Sequence, residues 1–172
     1  QLVLTNRFGM SSSSADPAYA EKDPENRWLH RMPMRRLEAE AIRDSALAIS
    51  GQLDREVGGK PVLVHLTEFV VGRGGPKKSG PLDGAGRRSI YTALRRNFIP
   101  TLMLTFDFPA PFTTVGKRDV TNVAGQSLAL MNDRFLYEQS GIWARRIIKE
   151  QTSAPERIRR IYAEAFARPP SE

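Results

Sequence analysis

The chain has 172 residues, 40% of them hydrophobic, no cysteine, and a net charge of +7 from 26 Lys and Arg against 19 Asp and Glu. A chain of this length buries roughly 70% of its unfolded surface, so a core is expected, and its longest apolar runs, such as 61–66 and 99–104, fall far short of the roughly 20 residues that cross a bilayer. The absent cysteines exclude disulfides, thiolate metal sites, cysteine nucleophiles and CxxCH haem attachment within these residues.

In chain order, residues 1–10 have neither the basic start nor the continuous apolar stretch of a signal peptide. Residues 9–24, with Ser11 to Ser14 and Asp23-Pro24, carry turn chemistry and read as a loop. Asp23 is placed to cap a short helix starting at Pro24, with Trp28 and Leu29 turned inward. The clearest signal is a helix from Pro33 to Gly51: proline at its start, helix formers from Leu37 to Ala41, and a glycine suited to a left-handed C-cap. At about 100° per residue, Met34, Leu37, Ala41, Ile42, Ala48 and Ile49 share an apolar arc that also takes in Glu38 and Ser45. Arg36, Glu40 and Arg43 share the opposite face.

β-Branched and aromatic residues over 60–72 favour a strand. Residues 72–86, GRGGPKKSGPLDGAG, hold six of the 13 glycines and read as a mobile, basic surface loop. Extended runs at 88–94 and 101–106 are expected to form a hairpin or small sheet beside that strand, with Pro100 at an edge or break. After Pro109, Pro111 and an irregular polar connection, helices return. One covers about 123–131. The next, capped by Asn132 or Asp133, lines one side with Leu136, Tyr137, Trp143, Ala144, Ile147 and Ile148 as far as about Glu150. The last starts at Ser153 with Glu156 in capping-box position, repeats apolar residues from Ile158 to Phe166, and stops before Pro169-Pro170.

Four blocks stand out: YAEKDPENRWLHRMPMRRLEAEAIRDSALAISGQLD, GRRSIYTALRRNFIPTLMLTFDFP, TNVAGQSLALMNDRFLYE and ERIRRIYAEAFARPP. Together they resemble a planctomycete-specific domain family of unknown function, found toward the C-terminus of large exported proteins that often carry a c-type cytochrome domain. The resemblance runs from about Leu4 to Pro170, and departs from the commoner pattern at TNVAGQSLAL. It implies export to the periplasm or cell envelope, large parent proteins, and a c-type haem in a neighbouring domain. It implies no mechanism.

Among candidate site residues, Glu38 is the most informative, because a carboxylate facing a core needs a hydrogen-bonded partner. Arginine is the natural choice, from Arg87, Arg88 or Arg118. A structural ion pair is favoured over a catalytic acid or base. Arg36 and Arg43, with Glu40 and Asp44, read as a solvated helix face, or alternatively as a grip on an anion. Four basic pairs, Lys77-Lys78, Arg87-Arg88, Arg95-Arg96 and Lys117-Arg118, could track an anionic polysaccharide. Nucleic acid is disfavoured, since no recognition motif accompanies them. His30 and His65 are unaccompanied and read as structural, so no metal site is assigned.

These readings combine into a mainly α fold with a small antiparallel β-sheet, an α+β unit spanning 1–172 with the Pro33–Ser50 helix at its centre, excerpted from a longer multidomain protein. The function expected is a non-catalytic binding or assembly module of an exported, cytochrome-associated envelope protein. Its partners would be the other domains of its parent and anionic polysaccharide. The alternative is a polysaccharide-active enzyme, with or without help from a neighbouring haem, that uses Glu38 or Asp107 with nearby arginines.

Overall fold

The computed structural model describes residues 10–12, 17–67 and 78–171, and the chain divides into two compact units, 1–36 and 37–172. In the first, α1 (Pro17–Lys22) leads into a polar-centred loop. Asp23 ends α1 rather than starting a helix: its N–H donates to the Tyr19 carbonyl at 3.0 Å, and its carboxylate accepts from the N–H groups of Arg27 and Trp28, both at 2.8 Å. Trp28, expected inside, is 76% exposed. The helix expected from Pro24 is lost because Asn26 takes a left-handed conformation, with φ 55°.

The second unit is built on α2 (Ala39–Ser50). Its C-terminus is the one the sequence specifies: Gly51 sits at φ 80° and closes the last turn onto the Ala48 carbonyl. Its start is six residues later than expected. Met34 is 82% exposed and Leu37 is also exposed, so the apolar side chains of the expected first turn are not buried to hold it helical, and good propensity alone does not suffice in so short a segment. Buried Ala39, Arg43, Leu47 and Ser50 follow one another along the helix.

No β-strand occurs among the described residues, so the expected sheet is overturned. What remains of it is two isolated bridges, Asp54 with Arg87 and Val62 with Thr92. The part of the expected strand over 68–72 lies outside the described residues. The run at 88–94 turns into a 3-10 helix at Ser89–Tyr91, because the Ser89 N–H and hydroxyl are both held by Asp44, at 2.8 and 2.7 Å. The run at 101–106 is α3 (Thr101–Thr105). Leu102, Met103 and Phe106 bury one helical face there, and an apolar run this short fits either period.

The core gathers Ala39, Leu47, Leu102, Met103, Phe106 and Phe135. Helices α4 (Ala124–Asn132), α5 (Arg134–Glu150) and α6 (Ala154–Phe166) follow. Asp133 caps α5 by accepting from the Leu136 N–H, and the Ser153 and Glu156 side chains form the expected capping box of α6. The buried side of α5 is Phe135, Gln139 and Ile147, whereas Tyr137 and Ile148 are exposed. The contact of α2 with α5 includes one buried polar pair, the Ser50 hydroxyl donating to Gln139 Oε1 at 2.6 Å. Arg146 ties three helices together, donating to the Ile49 carbonyl at 2.7 Å and to Glu164 at 2.6 Å. No helix among the described residues is long and apolar enough to cross a membrane.

Candidate functional site

Arg43 is the most consequential departure from the helical wheel. Assigned to the solvated face, it is 7% exposed. Its Nη1 donates to the Arg87 carbonyl at 2.9 Å and to the Ser89 hydroxyl at 3.1 Å, and its Nη2 donates to the Asp83 carbonyl at 2.6 Å. Asp44 stands 3.3 Å from Nη1 and the guanidinium lies 5.6 Å from the centre of the Phe135 ring. Burial pulls the Arg43 pKa down, and the Asp44 and Asp83 charges oppose that pull. Segment 83–89 reaches the guanidinium through glycines: Gly84 is buried at φ 62°, and a Cβ there would run into Nη2.

One wall of a cavity of about 560 Å³ is formed by Arg43. The other walls come from 63–67, Pro81, Leu82, Gly84, Thr92, the start of α3 and the start of α5. Val64, Leu102, Met103 and Phe135 make much of it apolar, and His65, Thr101, Asp133 and Arg134 supply polar groups. Several of these polar groups are already engaged. Asp133 caps α5, Arg134 pairs with Glu138 at 3.0 Å, and His65 donates from Nδ1 to the Gly80 carbonyl at 3.0 Å. With Nδ1 protonated, Nε2 of a neutral His65 is an acceptor. A mostly apolar cavity with a few fixed polar groups is the ordinary form of a small-molecule site.

The other candidate residues lie apart from this cavity. Glu38 is at the surface, with a side chain 66% exposed at the N-cap of α2, and not in the core. It nevertheless pairs with Arg118, one of its three candidate partners, at 3.0 Å. Arg118 also forks onto both oxygens of Glu40 at 2.8 Å. Burial pushes the Glu40 carboxyl up, but the hydrogen bonds and charge of Arg118 more than reverse it and leave it below its ordinary value. Arg87 is buried, bonded to the Gly58 carbonyl, paired with Asp54 and Glu56, and stacked 4.4 Å over Tyr91. Arg88 stays half-exposed, 3.9 Å from Asp44. Arg36, in the first unit, is exposed. Asp107 holds Thr121 through its N–H at 2.7 Å and its hydroxyl at 2.9 Å. Buried Gln126 joins that cluster, its Nε2 donating to the Thr121 hydroxyl at 3.0 Å and to the Thr105 carbonyl at 3.1 Å.

Sequence reading missed His65, Thr101, Asp133 and Arg134 as neighbours around one cavity. The capping signal at Asp133 was visible, but what lies beside the cap depends on how α3 and α5 meet. Both histidines bond to backbone carbonyls, as a structural reading expects; His30 reaches the Asp23 carbonyl at 3.2 Å. Among the described residues, no group of three His, Asp or Glu side chains is arranged to hold a metal ion.

The family model for PSD1, a protein of unknown function (DUF1553), matches residues 1–172, and the chain belongs to that family. No curated protein and no solved structure matches it.

Proposed function

We propose that this member of a family of unknown function is a non-catalytic binding or assembly module of an exported, planctomycete-type envelope protein that carries a c-type cytochrome domain elsewhere in its polypeptide. The export and the haem neighbour rest on the resemblance of the four sequence blocks. The observation that carries the binding role is the cavity beside Arg43, sized for a small molecule and lined by apolar side chains with His65, Thr101 and Arg134 among them. Its ligand would be mainly apolar with one anionic or hydrogen-bonding end. Neither Glu38 nor Asp107, the carboxylates an enzyme would use, lines this cavity, and both are engaged by neighbours, which favours binding over catalysis. The contact with anionic polysaccharide falls to exposed Arg95 and Arg96, because Arg87 and Arg118 are held in ion pairs.

The test is titration of the full chain with 8-anilino-1-naphthalenesulfonate, an apolar ring system bearing one anion, read by its fluorescence. Saturable binding to the folded chain is expected, weakened at least tenfold by Thr101→Trp, which fills the cavity from an exposed position. Binding that does not saturate, or that ignores the substitution, removes the cavity from this reading.

A further inference from the structure

The loop of residues 23–31 inverts the usual arrangement of a folded segment. Its two buried residues are polar, Asp23 and Asn26, while its largest apolar side chain, Trp28, is 76% exposed and Leu29 is exposed beside it. Folded chains ordinarily hide such residues and leave polar ones in water. The order in this loop comes instead from a closed set of hydrogen bonds. Asp23 fixes the N–H groups of Arg27 and Trp28. The Asn26 side chain spans to Arg31, donating to its carbonyl at 2.8 Å and accepting from its N–H at 3.2 Å. The Arg31 guanidinium folds back onto the Pro24 carbonyl at 3.1 Å.

The backbone is also held against its preferences. Asn26 and Leu29 both have left-handed φ, 55° and 58°; asparagine tolerates this conformation, whereas for leucine it is unfavourable. Strain of this kind persists only where surrounding bonds impose it, and it is typical of binding loops. Here it fixes the backbone on both sides of an exposed indole. A backbone ordered before binding loses little entropy on contact, and tryptophan and arginine are the residues that most often dominate protein interfaces.

Charge indicates the kind of surface that fits. Over 17–36 the chain has Lys22, Arg27, Arg31, Arg35 and Arg36 against Glu21, Asp23 and Glu25. Of those carboxylates, Asp23 is buried on its own loop and Glu25 is 2.9 Å from Arg27. The exposed surplus is positive. A flat sugar-stacking platform is the poorer match, since the Tyr19 ring is already stacked on His30 at 6.1 Å and Leu29 offers no aromatic face. The geometry points to a protein-docking element in which Trp28, with Leu29 beside it, enters an apolar pocket rimmed by Asp and Glu on a partner protein.

The test pans a random-peptide phage library on the full 172-residue chain, with Trp28→Ala for counter-selection. Enriched peptides are expected to carry apolar residues flanked by Asp or Glu, and as synthetic peptides to bind the full chain with an affinity that falls with salt. They should bind Trp28→Ala at least tenfold more weakly, while its circular dichroism and melting temperature stay unchanged. Arg27→Glu should weaken binding by a smaller factor. The proposal is overturned if nothing enriches, if enriched peptides bind Trp28→Ala equally well, or if a glycan array instead yields ligands lost in that variant.

Discussion

Arg43 Nη2 donates to the carbonyl oxygen of Asp83 at 2.6 Å, forty positions further along the chain. That bond and its companions to Arg87 and Ser89 fasten the 83–89 segment to the central helix. Replacing Arg43 by methionine keeps most of the volume but leaves the Asp83 and Arg87 carbonyls without their donor and Asp44 without its nearest cation. Removing one partner of a buried charged cluster typically costs about 3–5 kcal/mol. We expect Arg43→Met to lose about that much in urea unfolding, and Arg43→Lys to recover only part of it because an ammonium cannot fork. A methionine variant within 1 kcal/mol of the parent would refute this role.

Gly84 is the complement of that contact. An alanine there must hold φ 62° and direct its Cβ at Arg43 Nη2. The backbone conformation alone costs about 1–2 kcal/mol for an L-residue, and displacement of the guanidinium adds to it. Gly84→Ala should therefore lower the melting temperature and, by moving a cavity wall, weaken anilinonaphthalenesulfonate binding. Gly125→Ala, where an added Cβ meets nothing within 4 Å, should do neither.

Acid should destabilise the chain, and the direction follows from its ion pairs. Burial raises the Glu164 carboxyl, but hydrogen bonds from Arg146 and Trp143 and the Arg146 and Arg160 charges bring it below its ordinary value. Glu40 is held low in the same way by Arg118. A folded-state pKa below the unfolded one gives stability that is complete above the unfolded value, about 4.3 for glutamate, and is lost as pH falls through the folded value. Melting temperature should be flat from pH 7 to about 5 and then drop. Glu40→Gln with Glu164→Gln should start lower at pH 7 and show a shallower fall; a double variant that falls as steeply as the parent removes these carboxylates as the cause.

Asp107 combines a left-handed backbone, φ 60°, with two hydrogen bonds to Thr121. Asparagine tolerates that conformation and keeps one acceptor, whereas alanine keeps neither advantage. Asp107→Ala should cost about 1–3 kcal/mol and Asp107→Asn clearly less, measured by thermal unfolding. Hydrogen exchange should show the Thr121 amide losing protection in the alanine variant. Equal stability for the two variants would contradict this account.

The parts of this fold that local chemistry determines were legible in the sequence. The Gly51 cap, the Asp133 cap and the Ser153–Glu156 box each act within a few residues, and α2, α5 and α6 end or begin at them. The parts set by distant contact were not. Arg43 looks solvent-facing on a wheel because its acceptors arrive from 83–89, and Glu38 looks buried because the apolar arc was extended back over residues 33–38 that are not helical. β-Branched composition over 60–67 signals extended backbone, and the backbone there is extended enough for one bridge at Val62, but pairing needs a second extended run. Asp44 denies it one by winding Ser89–Tyr91 into a turn. For the candidate site, the sequence supplied Arg43 as a name without its surroundings, since a cavity belongs to several segments at once.

The hydroxyl-to-amide link between Ser50 and Gln139 gives α2 and α5 a single permitted phase. Oily faces alone would let two rods glide past each other at little penalty, and a shift of one helical pitch, about 5.4 Å, would leave the Ser50 hydroxyl its Leu47 carbonyl but strand the Gln139 amide in a medium that cannot solvate it. The join therefore behaves as a key in a slot, indexing one cylinder to the other.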